Sequence, residues 1–324
     1  MTSRRTLLAA VGATLLVATN RANAQAGKRR VAFLAIGTPG PAERRVGSLL
    51  RSGLHELGWI EGSNLIVDES WDHGDATGWA RQTSELLALQ PDVFVATTDF
   101  MLGPAAAATK TVPIVFIVGT NPVSRGLVKS LANPGGNVTG LATLDGELYP
   151  KRLALLKEAV PSLKVVGVFV SSQDRMGLAF LEDARRTLGL ELVPALVDRP
   201  VDIEPAFEKF AKARASGVID LAASGVIFVE RDRTAALAVK HRMAMLGHSA
   251  VAESGVLLSY GYDISALFKR SATIIDRILR GTKPAEIPVE QVNVYELIVN
   301  LRTARALGIE LPRALMLKAT RVIE

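Results

Sequence analysis

The 324-residue chain contains no cysteine. Without a disulfide framework its stability rests on core burial, which a hydrophobic content of 48% can supply. A lipid-modified N-terminal cysteine is excluded as well. Beyond the N-terminal stretch no run approaches the ~20 consecutive apolar residues that cross a bilayer, so no stable membrane insertion is expected. The patterns G-x-x-x-x-G-K-[ST], G-x-G-x-x-G and G-x-S-x-G are all missing, which removes the main support for nucleotide or α/β-hydrolase chemistry. Histidine is scarce, and His55, His73, His241 and His248 fall at no metal-ligand spacing. Asp72-His73-Gly74-Asp75 reads as a solvated turn, and Glu230-Arg231-Asp232-Arg233 as the solvated start of a helix. No metal, no cofactor and no catalytic residue is expected. Basic residues form no stripe interleaved with aromatics, so nucleic acid is not an expected partner.

What is present begins with Met1 to Ala24. Arg4-Arg5, the apolar stretch from Leu7 to Ala18 and the small residues Ala22-Asn23-Ala24 make a cleaved export signal. Ser3-Arg4-Arg5-Thr6-Leu7-Leu8 also resembles a twin-arginine signal, and the export route stays open. Cleavage takes three of the 38 basic residues and none of the 32 acidic ones, so the formal charge of +6 falls to +3. Part of the basicity is therefore targeting. The mature chain is expected to be free in a periplasm, as a monomer.

From Arg30 onward strand-like and helix-like segments alternate, the signature of parallel sheets covered by helices. The first series runs Arg30 to Ile36 (strand), Glu43 to Leu57 (helix), Asn64 to Glu69 (strand), Thr77 to Leu89 (helix), Val93 to Thr97 (strand), Gly103 to Lys110 (helix) and the strand at Ile114. The stretch Val112 to Leu141 packs that strand, a polar strand end, a helix and a Gly-rich exit into thirty residues. A second series opens at Lys164 with VVGVFVSS and continues with a helix Gly177 to Leu188 and a strand Leu190 to Val197. A helix Ile203 to Ser216, a strand Ile219 to Ala223, a helix Arg231 to Met245 and a strand Gly255 to Tyr260 follow. HELGWIEGSNLIVDES in the first half and RRTLGLELVPALVDR in the second are alike. The chain is therefore expected to form two doubly wound α/β lobes. The first is assigned 28–142 plus 262–286 and the second 143–261 plus 287–324. Their join falls near Thr139 to Leu144, with Gly135-Gly136 as a hinge element. A helix Ile264 to Arg280 and a strand-like Val289 to Val299 carry the tail across again, so hinge bending is the expected motion.

Small polar groups recur directly after the expected strands: Thr38-Pro39, Thr97-Thr98-Asp99, Thr120-Asn121, Ser171-Ser172-Gln173 and Ser224. In open parallel sheets ligands collect outside the carboxyl ends of strands, where hydroxyls and helix N-termini suit a carboxylate. Each of these residues equally fits a simple helix cap. Tyr260 serves either as an aromatic wall or as a core residue. Glu253 or Asp99 offers a partner for a ligand ammonium.

VPIVFIVGTNPVSRGLVKSLANPGGNVTGL, KRLALLKEAVPSLKVVGVF and IPVEQVNVYELIVNLRTARALGIELP resemble the ABC-transporter substrate-binding family of the tryptophan/tyrosine type. GLHELGWIEGSNLIVDESWDHGD and LLSYGYDISALFKRSATIIDRILRGTKPAEIPVEQ are similar to it too. The resemblance spans nearly all of the mature chain. It implies a type I periplasmic-binding fold, with three crossovers and a ligand enclosed at the hinge. The family's cleft loops fall on Thr38-Pro39, Thr98-Asp99, Thr120-Asn121-Pro122, Thr143, Ser171-Ser172, Ser224 and Tyr260. The implied partners are a small-molecule ligand and an ABC permease with a separate ATPase. The chain departs from the family at Asn121, where relatives commonly carry Asp, and in a short segment Leu246 to Glu253. The competing expectations are a periplasmic sensing module of the same fold and an exported α/β enzyme.

Overall fold

The computed structural model describes residues 27–37, 41–72, 76–143, 145–172, 177–221 and 225–324. The first lobe is built from β1 (Arg29–Ile36), α1 (Pro41–Glu56), β2 (Leu65–Asp72), α2 (Ala76–Ala88), β3 (Val93–Ala96), α3 (Asp99–Ala108), β4 (Ile114–Thr120) and β5 (Val138–Thr143). Next come α4 (Asp145–Ala159), β6 (Val165–Val170), α5 (Glu182–Leu188), β7 (Glu191–Leu196), α6 (Ile203–Lys212) and β8 (Gly217–Asp220). Helices α7 (Gly225–Val229) and α8 (Arg231–Lys240) and strands β9 (Ala244–Gly247) and β10 (Leu258–Tyr262) complete the second series. The tail adds α9 (Ile264–Leu279), β11 (Glu290–Gln291), β12 (Tyr295–Asn300), α10 (Leu301–Leu307), α11 (Arg313–Met316) and β13 (Arg321–Ile323).

Two sheets result, ordered β11-β5-β4-β3-β1-β2 and β13-β12-β10-β9-β8-β6-β7. In each, the first strand lies between the second and third, so the two halves repeat one doubly wound pattern. All described pairings are parallel except β10 with β12. Parallel strands need both faces covered, and the alternation along β1 does this. Val31, Phe33 and Ala35 enter a core shared with Leu50, Leu54 and Phe268, from α1 and α9. Ala32 and Leu34 face the opposite core with Trp79, Met101 and Leu102, from α2 and α3. The second sheet is covered likewise, with Leu153 and Leu156 of α4 on one face and Phe207 and Phe210 of α6 on the other.

The chain passes between lobes three times: from β5 into α4, from β10 into α9, and from β11 into β12. Backbone hydrogen bonds tie the crossings together, with Val292 N donating to Ala142 O (2.9 Å) and Asp263 N to Val294 O (3.1 Å). The last crossing falls later than residue 287, because Glu290 and Gln291 still pair with Leu141 and Ala142 of the first sheet. Gly135-Gly136 is not the hinge. Both residues precede β5, at the end of the sheet remote from the crossing, and Gly135 turns with φ +74 against the Lys129 side chain.

Four expected elements differ. Residues 121–137 form consecutive turns rather than a helix: Pro122 O accepts from Leu127 N, and Gly126 adopts φ +69. The helix expected to reach Met245 ends at Lys240, and Ala244–Gly247 is a strand. The stretch Val289 to Val299 splits into β11 and β12, in different sheets. The helix expected from Gly177 is regular only over Glu182–Leu188, after a 3-10 turn Ala179–Leu181.

Candidate functional site

All three crossings lie at carboxyl ends of parallel strands, so the carboxyl edges of both sheets border one gap at the hinge. In the first lobe, Thr98 caps α3 in extended backbone without a side-chain capping bond, and its Oγ1 is buried without a partner. Asp99 opens that helix. The β4–β5 register brings Thr120 beside Thr143, with the hydroxyls 3.4 Å apart, and Thr143 is fully buried. Asn121 follows in the left-handed region at φ +50, exposed, and its carbonyl accepts from Ser124 Oγ (3.0 Å). A short amide side chain tolerates that conformation better than most residues.

In the second lobe, Ser171 Oγ (3.0 Å) and Ser172 N (2.9 Å) both donate to Oδ1 of Asp198, which follows β7. This acceptor fixes the loop after β6. Asp220 is buried at the end of β8. After β9, His248 caps a 3-10 turn Ser249–Ser254 by accepting from Ala250 N at 3.3 Å. Its ring stacks on Phe228 at 5.8 Å, while Ser249 Oγ donates to Tyr262 O.

The hinge itself is aromatic. Tyr260 stacks on Tyr295 at 6.2 Å and Tyr262 meets the same ring at 5.2 Å. Tyr260 is half-buried, and burial pushes its phenol up from the ordinary value against the opposing pull of Arg152. Arg152 of α4 is 1% exposed, with Nε donating to Tyr260 O at 2.8 Å and its guanidinium 5.7 Å from the centre of the Tyr149 ring.

Of the residues expected at the site, Thr98, Thr120, Asn121, Thr143, Ser171 and Ser172 stand at strand ends along this gap, and Tyr260 stands at the hinge. Asp99 is placed by its backbone alone. Thr38, Pro39 and Ser224 lie outside the described residues, as does Gln173. Glu253 is not brought to the gap. It sits at the far end of the turn that leads into the start of β10, exposed and ion-paired to Arg321 of the edge strand β13. A surface concavity of about 470 Å³ lined by Arg302, Arg305 and Glu324 is also remote from the gap. Its α10 begins where β12 ends, beside the start of β10, since Asn300 N donates to Leu257 O.

Arg152, Asp198, Asp220, His248 and Tyr295 were not expected at the site. For Arg152 the signal was available: it falls three and four residues after the buried Tyr149 and Leu148, on the apolar stripe of α4. His248 carries a pH prediction. Burial first, and then the charges of Arg152 and Arg231, hold its pKa at about 3 against an ordinary 6.5. Between those values the unfolded chain binds the proton and the folded one does not. Stability therefore falls as the pH drops from 6.5 toward 3, by up to ~1.4 kcal/mol per pH unit from this residue. His248→Gln is expected to flatten that limb in chemical unfolding at pH 4 to 7, and a wild-type imidazole titrating near 6.5 by NMR would refute the assignment.

Two doubly wound lobes joined by three crossings, with their strand ends bordering one gap, make a two-lobed binding protein of the type I periplasmic-binding fold. The chain belongs to the family of ABC transporter substrate binding proteins, which its residues 34–323 match. That family consists of substrate-binding receptors, not enzymes. A "tyrosine-binding protein" of Clostridioides difficile (strain R20291) is 26% identical over 269 residues, covering 79% of this chain and 74% of the relative. A conserved domain protein of Vibrio cholerae O1 biovar eltor, solved as a crystal structure, superposes with a TM-score of 0.81 at 27% identity, over 91% of this chain and 99% of its own. An ABC domain from Streptococcus pneumonia solved with L-Trp gives a TM-score of 0.82 at 22% identity, over 92% and 100%. Among the described residues no helix is long and apolar enough to cross a membrane.

Proposed function

We propose that this protein is a periplasmic receptor that closes its two lobes on a small amino-acid-like or carboxylate-bearing ligand and delivers it to an ABC permease driven by a separate ATPase. The observation that carries the reading is the gap itself. Hydroxyls from both sheets, at Thr98, Thr120, Thr143, Ser171 and Ser172, border it, Asn121 stands beside Thr120, and the half-buried Tyr260 backs the hinge. Thr38, Pro39, Asp99 and Ser224 belong to the same proposed contact set. Hydroxyls and helix N-termini suit an anionic group, and a stacked tyrosine pair suits an aromatic one. The name of the tyrosine-binding relative supports that ligand class. A ligand that touches both lobes stabilises the closed arrangement over the open one by its difference in affinity for the two.

The test is a thermal-shift screen of the mature protein against amino acids, aromatic acids, dipeptides and small amides. A true ligand at ~1,000 times its Kd adds about 4 kcal/mol of stability, which raises the melting midpoint by several degrees. Aromatic amino acids are expected to give the largest shifts. A panel without a single shift, or a hit that is chemically turned over, sinks the receptor reading.

A further inference from the structure

The one arginine among the largest fully buried side chains is Arg152, and among the described residues no acidic side chain pairs with it. Partly exposed arginines elsewhere are paired: Arg30 with Asp68, and Arg51 with both Glu61 and Glu69. Among the described residues no ion pair reaches Arg152. Its Nε serves Tyr260 O, its Nη1 is buried with no hydrogen-bond partner, and its Nη2 lies 3.4 Å from where a Cβ on Gly261 would stand. Two flanking groups, His248 and Arg231, add no negative charge. Imidazole His248 is neutral near pH 7, and Arg231, whose guanidinium lies 5.1 Å over the Phe228 ring on which His248 stacks, is a second cation. Of the acids at nearby strand ends, Asp198 is taken up by Ser171 and Ser172, and neither it nor Asp220 is ion-paired to Arg152.

A buried guanidinium without a counter-charge stabilises the fold less than an apolar side chain of similar volume would. Its presence here points to a charge that the described residues do not supply. The guanidinium is bonded to the backbone of Tyr260, whose ring stacks on Tyr295, in an interior where its field is weakly screened.

We propose that Arg152 is the specificity-determining cation of this cleft: its unmatched buried charge makes the gap prefer ligands that carry a free carboxylate and orients that carboxylate toward the hinge. The inference rests on the receptor reading and narrows its ligand class. Arg152 is buried and acts without being exposed to the gap, so the readout must separate charge from packing.

Isothermal titration of L-tyrosine against L-tyrosinamide, and L-phenylalanine against its amide, into wild type, Arg152→Met and Arg152→Lys makes that separation. Wild type is expected to bind each acid at least about tenfold more tightly than its amide. Arg152→Met removes the charge with a side chain that suits burial, so it is expected to fold and to lose the acid preference. Arg152→Lys is expected to keep most of it. A structural role alone would weaken acid and amide equally and leave their ratio unchanged in Arg152→Met, which overturns the proposal. Wild type that binds amides as tightly as acids overturns it too while leaving the receptor standing. Wild type that binds neither defeats both.

Discussion

Gly140→Ala is expected to lower stability by at least about 3 kcal/mol and to loosen the first lobe selectively, because it adds backbone strain to overpacking. Gly140 lies in β5 at φ +153, and a Cβ there would stand 2.1 Å from Phe116 O and 2.7 Å from Phe116 N of the neighbouring strand. The obstacle is main chain, which no rotamer change can move aside. At this point the register between β4 and β5 shifts, between Phe116 and Gly119. The strands must separate to admit a methyl group, and Thr120 then loses its place beside Thr143. Hydrogen exchange by mass spectrometry should show faster exchange in 114–120 and 138–143, with β6 and β8 unchanged. Unaltered protection and an unaltered unfolding midpoint would refute the close approach.

The second large effect is expected in the other lobe. Phe207→Ala should cost about 3–5 kcal/mol, the range for truncating a buried aromatic side chain in a closely packed core. Phe207 is fully buried, meets Phe169 edge-on at 5.5 Å and Phe210 at 6.0 Å, and carries the His241 ring stacked at 5.6 Å. Its loss leaves three rings without a common neighbour on the α6 face of the second sheet. Calorimetry should show the midpoint of that lobe falling, with exchange rising in β6, β8 and α6 and little change in the first lobe. A uniform loss across both lobes would mean that they unfold as one cooperative unit.

The fold was legible where local pattern and tertiary environment agree. Strands β1, β4 and β6 are continuous apolar runs because both faces are covered, and α9 shows a broad apolar stripe that its burial in the first core matches. Strand β9 was hidden for the same kind of reason. Ala244, Met245 and Leu246 favour helix by intrinsic preference and follow a real helix, and only pairing with β8 and β10 makes them a strand. The reverse happened after β4, where a helix was expected but Pro122 and Gly126 take part in turns. Hydroxyls at strand ends were legible because alternation locates the ends themselves. Glu253 was misplaced because sequence nearness to β10 does not say which end of the strand a residue joins. Arg152 follows the charged Lys151, and only its register with Tyr149 and Leu148 points inward.

The sequence by itself determined that this chain forms two repeated α/β lobes, carries none of the nucleotide-binding glycine patterns and no metal-ligand histidine spacing, and ends its strands in small polar residues. Periodicity and composition are local properties, and no packing is needed to read them. Only the tertiary structure decided that Thr120 meets Thr143, that three linked crossings form the hinge, and that Arg152 is buried with its Nε on Tyr260 O and no ion pair among the described residues. Those facts depend on contacts between residues far apart in the chain, such as Arg152 and Tyr260, 108 positions apart. Burial and strand register are set when separate segments pack together, and no single segment carries them in its own pattern.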